Sequence, residues 1–225
     1  MFDVTNPSHV ITLRSRLSNE RLSSYDRITS GRHAETLSLY EWNTAISAAF
    51  YASLQCLEVV LRNALDRELT RWHASLDRRG FWYDDPAGVL DIRRRQDITE
   101  ARRRIRLARR PVTPGRIVSE LSFGFWRYLL TSRYEGSLWT PALRHAFPGL
   151  RPPRRKDVSA RVARLHQLRN QLAHHKAIYD RDLQADYADL LFVVGAICPR
   201  TRAWIDQTST VELVLAQRPA MISPN

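Results

Sequence analysis

The sequence predicts an all-α protein on three features. Between about Ala34 and His73 there is no Pro and no Gly. Apolar residues recur there, and again between Val158 and Leu172, every three or four positions, the spacing of one helix face. No segment alternates apolar and polar residues as a half-buried strand does. With 8 glycines and 11 prolines in 225 residues, a turn-rich β-sandwich is disfavoured.

Taken in order, residues 1–33 read as a polar lead-in, with a short helix expected near Leu17 to Ile28. The long helix follows, with a core stripe of Ile46, Phe50, Leu54, Leu57, Leu61 and Ala64. Its middle is apolar almost all round, which predicts a place deep in a bundle. A polar row, Thr44, Ser47, Tyr51, Gln55, Glu58 and Arg62, runs along the same helix. It reads either as a solvent edge with a Glu58–Arg62 salt bridge or as the wall of a cleft. GFWYDDPAG, residues 80–88, breaks the chain. A basic helix is expected from Leu90 to Arg110 and is ended by PVTPG.

One helix is then expected from Arg116 to about Tyr134 despite Gly124, followed by SLWTPALRHAFP and a loop over residues 149–156. Asp157 is a good N-cap for a helix from Val158 to His175. Two further helices are expected at Leu183 to Ala196 and Arg200 to Ala216, with 217–225 as a tail. No clean boundary divides 34–216, so a single domain of six to eight helices is expected.

The net charge of +12 and pI of about 10.6 point to an anionic partner. Lys156 and Lys176 are the only lysines, so arginine makes up 33 of the 35 basic residues. One cluster lies in the basic helix, with Arg102, Arg103 and Arg106 on it; a second holds Arg154, Arg155 and Lys156. Guanidinium forks suit phosphate oxygens, so these six are candidate nucleic-acid contacts; such contacts position a backbone without reading sequence. A solvated helix face is the plainer alternative.

Several chemistries are disfavoured. Cys56 and Cys198 are too few for a disulfide framework or a Cys-rich zinc site, and a reducing cytoplasm is the expected location. No HExxH spacing occurs, so no metal is expected. Neither GxxxxGK[ST] nor GxGxxG occurs, so no nucleotide cofactor is expected, and there is no GxSxG elbow. The longest uninterrupted apolar run, Leu190 to Cys198, is about half a membrane span, so no membrane partner is expected. The first residues carry neither a basic n-region nor an apolar h-region, so no signal peptide is expected.

The candidate chemistry lies on the helix from Val158 to His175. Val158, Val162, Leu165, Leu168 and Leu172 form its core stripe. At about 100° per residue, Asn170 and His174 both point about 160° from Leu172, away from this stripe, while Arg169 flanks it. Imidazole gives and takes protons near neutral pH. A guanidinium stabilises charge growing on a phosphate. Arg169, Asn170 and His174, with His175 as helper, therefore make a metal-free phosphodiester-cleaving set; a polar cluster at a helix end is the plainer reading.

The run LSLYEWNTAISAAFYASLQCLEVVLRNALD, then VSELSFGFWRYLL with Trp139 and Phe147-Pro148, then LRNQLAHHKAI resemble the Abi-like abortive-infection family of bacterial proteins. The resemblance covers roughly residues 20–205, in order. That family is similar to the HEPN superfamily, so the resemblance implies a HEPN-like helical bundle with additional helices, usually dimeric. It also implies an Arg followed by four to six residues and a His as the active motif, matched here by Arg169 and His174, with Asn170 after the Arg. The implied activity is a metal-independent endoribonuclease in phage defence or a toxin, in which the RNA 2′-hydroxyl attacks the adjacent phosphate and leaves a 2′,3′-cyclic end. The two motifs of a homodimer would face one composite cleft. Glu58, Arg62 and Asn63 match the family's LExxLRN segment as supporting residues. Lys176 departs from the Glu common at that place. The alternatives are an inactive RNA-binding HEPN-like module, and a regulator bound by an acidic partner such as an antitoxin.

Overall fold

The structure, a computed structural model, describes residues 6–85 and 88–220; parts of the expected lead-in, break and tail (1–5, 86–87, 221–225) lie outside the described residues. It is all-α, with no strand among the described residues. The helices are α1 (Pro7–Leu17), α2 (Asn19–Ile28), α3 (His33–Ser75), α4 (Ile92–Leu107), α5 (Pro114–Glu120), α6 (Phe123–Leu129), α7 (Arg155–Ala173), α8 (Leu183–Ile197), α9 (Pro199–Thr208) and α10 (Val211–Ala216). They fall into two compact units. One takes residues up to Ala52, Gln171–Leu183 and the chain from Ser209; the other takes Ser53–Asn170 and Gln184–Thr208.

In the first unit, the expected polar lead-in is two helices. Asn6 caps α1, its side chain accepting from the Ser8 amide, and Pro7 takes the first turn, where its missing N–H costs nothing. Val10 and Leu22 pack with Leu37 of α3, and Leu13, Leu17 and Tyr40 close round them. The spacing Val10, Leu13, Leu17 is the helical signal in a stretch otherwise dominated by polar residues. Tyr25 sits edge-on to Tyr40 and Tyr179, and burial pushes its hydroxyl up to about 12. Two hydrogen bonds of 2.8 Å join Arg14 to Asp26, whose carboxylate also accepts from Thr36. Buried Asn43 accepts from the Ile178 amide, and the Trp42 indole donates to the Val214 carbonyl.

In the second unit, Leu54, Leu57, Leu61, Leu65 and Leu69 of α3 are buried in one row. Asp91 caps α4, accepting from the Arg94 amide and the Tyr134 hydroxyl. The single helix expected over 116–134 is divided: Ser122 caps α6, accepting from the Phe125 amide, and the chain between α5 and α6 turns there. Phe125 and Trp126 pack around Trp82, whose indole donates to Asp66 at 2.8 Å. Val158, Val162, Leu165 and Leu168 of α7 are fully buried, as their spacing predicts. Asp157 lies inside the first turn of α7 and is not its N-cap. Arg161 and Arg164 tie α7 to Asp189 of α8, and Tyr187 of α8 donates to Asp206 of α9. The last expected helix is divided into α9 and α10.

The most apolar helix is not wholly enclosed. Thr44, Ala45, Ala48, Tyr51, Gln55 and Val59 of α3 are exposed. By length and composition alone α3 could cross a membrane, with an 18-residue window of mean hydropathy 1.5 that is 39% buried; the core helix of a soluble protein meets the same description.

Replacing Asp26 with Asn is expected to cost about 1.5–3 kcal/mol in urea unfolding, the range for a hydrogen bond to a charged group. The bonds from Arg14 hold the Asp26 carboxyl below its ordinary 3.8 in the folded chain. Its contribution is therefore complete above that ordinary value and is lost as the pH falls through the folded one. The gap between wild type and Asp26→Asn should close over that acid range; a gap unchanged down to pH 2 would contradict this account.

Candidate functional site

Within the second unit, burial of Leu165 and Leu168 turns the intervening residues of α7 outward. Arg169 is half-exposed, and its Nε lies 3.8 Å from the Glu58 carboxylate of α3. The expected Glu58–Arg62 pair is replaced by this contact. Arg62 instead makes long contacts, 3.5 Å to the Ser119 carbonyl and 3.4 Å to Asn63 Oδ1. The polar row of α3 thus meets α7 at Glu58. Such a half-exposed pair contributes at most about 1 kcal/mol, so its effect is to hold the guanidinium in place rather than to stabilise the fold.

Asn170 is exposed, as its projection predicts, and its Nδ2 lies 3.5 Å from His166 Nε2. The sequence reading did not single out His166. Its signal was available: it stands three residues before Arg169 and four before Asn170, hence on their side of the helix. The His166 ring is half-buried, edge-on to Phe123 of α6 with centroids 5.6 Å apart. A Cβ at Gly124 would come within 3.2 Å of its Nε2, so the glycine makes room for the ring. Burial lowers the His166 pKa below the ordinary imidazole value, and the positive charges of Arg127 and Arg169 lower it further.

His174 and His175 belong to the first unit. The expected helix to His175 ends at Ala173, so a helical projection does not describe His174, which is exposed just past the last turn. The Lys176 amide bonds back to the Gln171 carbonyl at 2.8 Å and the His175 amide to the Leu172 carbonyl at 3.0 Å. This pair of bonds is the Schellman C-cap, and it puts His175 in the left-handed region at φ 52°. Arg21 of α2 donates to the His175 carbonyl.

The basic clusters divide by partner. Arg102 donates to Asp84 at 2.6 Å and Arg103 to Glu100 at 2.7 Å, so neither is a bare charge. Arg106, Arg154 and Lys156 are exposed and have no ion-pair partner among the described residues. Arg155 corrects the sequence reading. It is 7% exposed, donates to the Leu130 carbonyl at 2.9 Å and lies 3.2 Å from Glu135, and so holds the start of α7 rather than facing an external anion.

Among the described residues, no group of three or more His, Cys, Asp or Glu is placed to hold a metal. Cys56 and Cys198 are free thiols. A cavity of about 540 Å³ in the second unit, lined in part by Leu150, Phe192, Gly195 and Arg202, includes none of the candidate residues. No protein-family model matches the chain, and neither does any curated protein or solved structure.

Arg155→Met should lose about 1–3 kcal/mol by leaving the buried Leu130 carbonyl without its donor, while Arg154→Gln stays within about 0.5 kcal/mol; denaturant melts of the two separate these cases. His175→Gly relieves a left-handed side chain at roughly 1–2 kcal/mol and adds unfolded-chain entropy of about 0.4–1 kcal/mol. A net gain of about 0.5–1 kcal/mol is expected in the same measurement, and a clear loss would contradict the cap.

Proposed function

We propose that this chain is a metal-independent endoribonuclease of the HEPN type, working in the cytoplasm in phage defence or as a growth-arresting toxin. The observation that carries the reading is the Arg169–Asn170…His174 motif with each member reachable by solvent: Arg169 steadied by Glu58, Asn170 outward on α7, and His174 just past its end. The Abi-like resemblance of the flanking segments and the net charge of +12 support it.

The assigned chemistry needs no metal. An imidazole takes the proton of the ribose 2′-hydroxyl as its oxygen attacks the neighbouring phosphorus. The bond from phosphorus to the 5′-oxygen breaks, and that oxygen leaves with a proton. The products are a 2′,3′-cyclic phosphate and a free 5′-hydroxyl. His174 is assigned the proton transfers, Arg169 the charge growing on the phosphate oxygens, and Asn170 the orientation of the reacting group. His175 is a helper. Arg106, Arg154 and Lys156 supply contacts to the RNA backbone. The working form in this proposal is a homodimer, and an acidic antitoxin is the kind of partner that would restrain it.

Incubation of the purified protein with cellular RNA in EDTA should yield fragments with 2′,3′-cyclic ends. His174→Ala is expected to slow cleavage at least about 100-fold, the lower range for losing a general acid or base. Equal cleavage by both proteins, or none by either, overturns the assignment. RNA binding that weakens steeply with salt in the absence of any cleavage would favour the non-cleaving module.

A further inference from the structure

Beside Arg169 and Asn170, within the second unit alone, is a histidine that the reaction above leaves unused. His166 packs against Phe123, and Arg127, one turn after Phe123 on α6, and Arg169, one turn after His166 on α7, stand on the same sides of their helices. Arg127 of α6 and Arg169 of its own helix are the charges that bear on it among the described residues, and Glu58 of α3 lies 3.8 Å from Arg169. Arg127 has no carboxylate partner among the described residues; its guanidinium lies 4.7 Å from the Tyr128 ring centre. Phe123 fixes one side of the imidazole, and Gly124 leaves its Nε2 without a Cβ in front of it. The hydrogen-bond partner of Nε2 among the described residues, the Asn170 amide, stands at 3.5 Å, the outer limit of a hydrogen bond, so this nitrogen is only lightly engaged.

Two cations held near a half-buried neutral imidazole are a repulsive arrangement once that imidazole protonates. An anion reverses the balance. It is attracted by both guanidiniums, and its charge favours the imidazolium, which adds a donor to it. We propose that Arg127, His166, Arg169 and the Asn170 amide form a binding site for one phosphate of an RNA backbone, and that His166 takes up a solvent proton as the phosphate binds. That the phosphate is RNA's rests on the nuclease reading; the anion site and its proton uptake do not. His166 is a binding residue here, and the bond-breaking proton transfers stay with His174.

The full-length chain is titrated with a short single-stranded oligonucleotide of 2′-O-methyl riboses, which cannot be cleaved, and separately with inorganic phosphate. The His166 ring is followed by NMR and affinity is measured from pH 8 to pH 5.5. The oligonucleotide should raise the His166 pKa by a unit or more, and its affinity should rise about tenfold as the pH falls, the size one pKa unit gives. His166→Gln should remove that pH dependence, with His166→Asn as a second variant and a thermal melt to confirm folding. Arg127→Gln should reduce the salt slope by about one.

An unmoved His166 resonance, or a pH dependence that survives both variants, overturns the proposal. A response to inorganic phosphate alone removes RNA as the ligand. Proton-linked oligonucleotide binding without any cleavage of ordinary RNA refutes the nuclease and keeps the site; cleavage with no role for His166 in binding does the reverse.

Discussion

Val158, Val162, Leu165 and Leu168 lie fully buried along one side of α7, and that burial decides what its other side can present. Each such side chain contributes roughly 1.5–3 kcal/mol relative to exposure. Rotating the helix to hide Arg169 or Asn170 would forfeit several of these contributions and bury a charge. The polar residues of α7 are therefore held outward by aliphatic packing on the opposite face, and the Glu58 contact only trims the direction of one guanidinium. Gly124 and Phe123 of α6 act in the same way on His166: the glycine leaves room for the imidazole and the Phe123 ring packs against it.

The positive charge of the chain is less available than its total suggests. Arg14, Arg102, Arg103 and Arg164 are each hydrogen-bonded to a carboxylate, and Arg155 is spent inside the fold. These pairs serve the architecture: Arg14 secures α1 to α2, and Arg164 secures α7 to α8. What remains for an external anion in the second unit includes the exposed Arg93, Arg106, Arg109, Arg110, Arg151, Arg154 and Lys156, none with an ion-pair partner among the described residues, together with the partly exposed Arg127 and the half-paired Arg169. Spreading those charges over separate elements suits contacts along a polyanion better than one compact ligand.

The motif itself is divided by the fold. Arg169 and Asn170 end the part of α7 that belongs to the second unit, and His174 is the capping residue of α7 in the first. The cap is made by backbone bonds to Gln171 and Leu172, and the Arg21 guanidinium on the His175 carbonyl ties it to α2. The N-terminal helix α2 thus supports the turn that holds His174. A left-handed histidine at that turn costs stability where glycine would not, an expense more often met at functional positions than elsewhere.

The sequence by itself determined the all-α class, the uninterrupted α3, the buried stripe of α7 and the outward direction of Asn170. Each follows from apolar periodicity or from missing helix breakers, which are local properties. It also held unread local signals: the Val10–Leu13–Leu17 spacing, the Ser122 cap and the place of His166 one turn before Asn170. Only the tertiary structure decided that Glu58 meets Arg169 instead of Arg62, that Arg155 is internal while Arg154 is exposed, that α7 stops at Ala173, and that His166 packs on Phe123 of α6. Periodicity states which face an element must bury, whereas the partner of a charge is set by which distant element packing brings within a few ångströms, and no spacing along the chain encodes that distance.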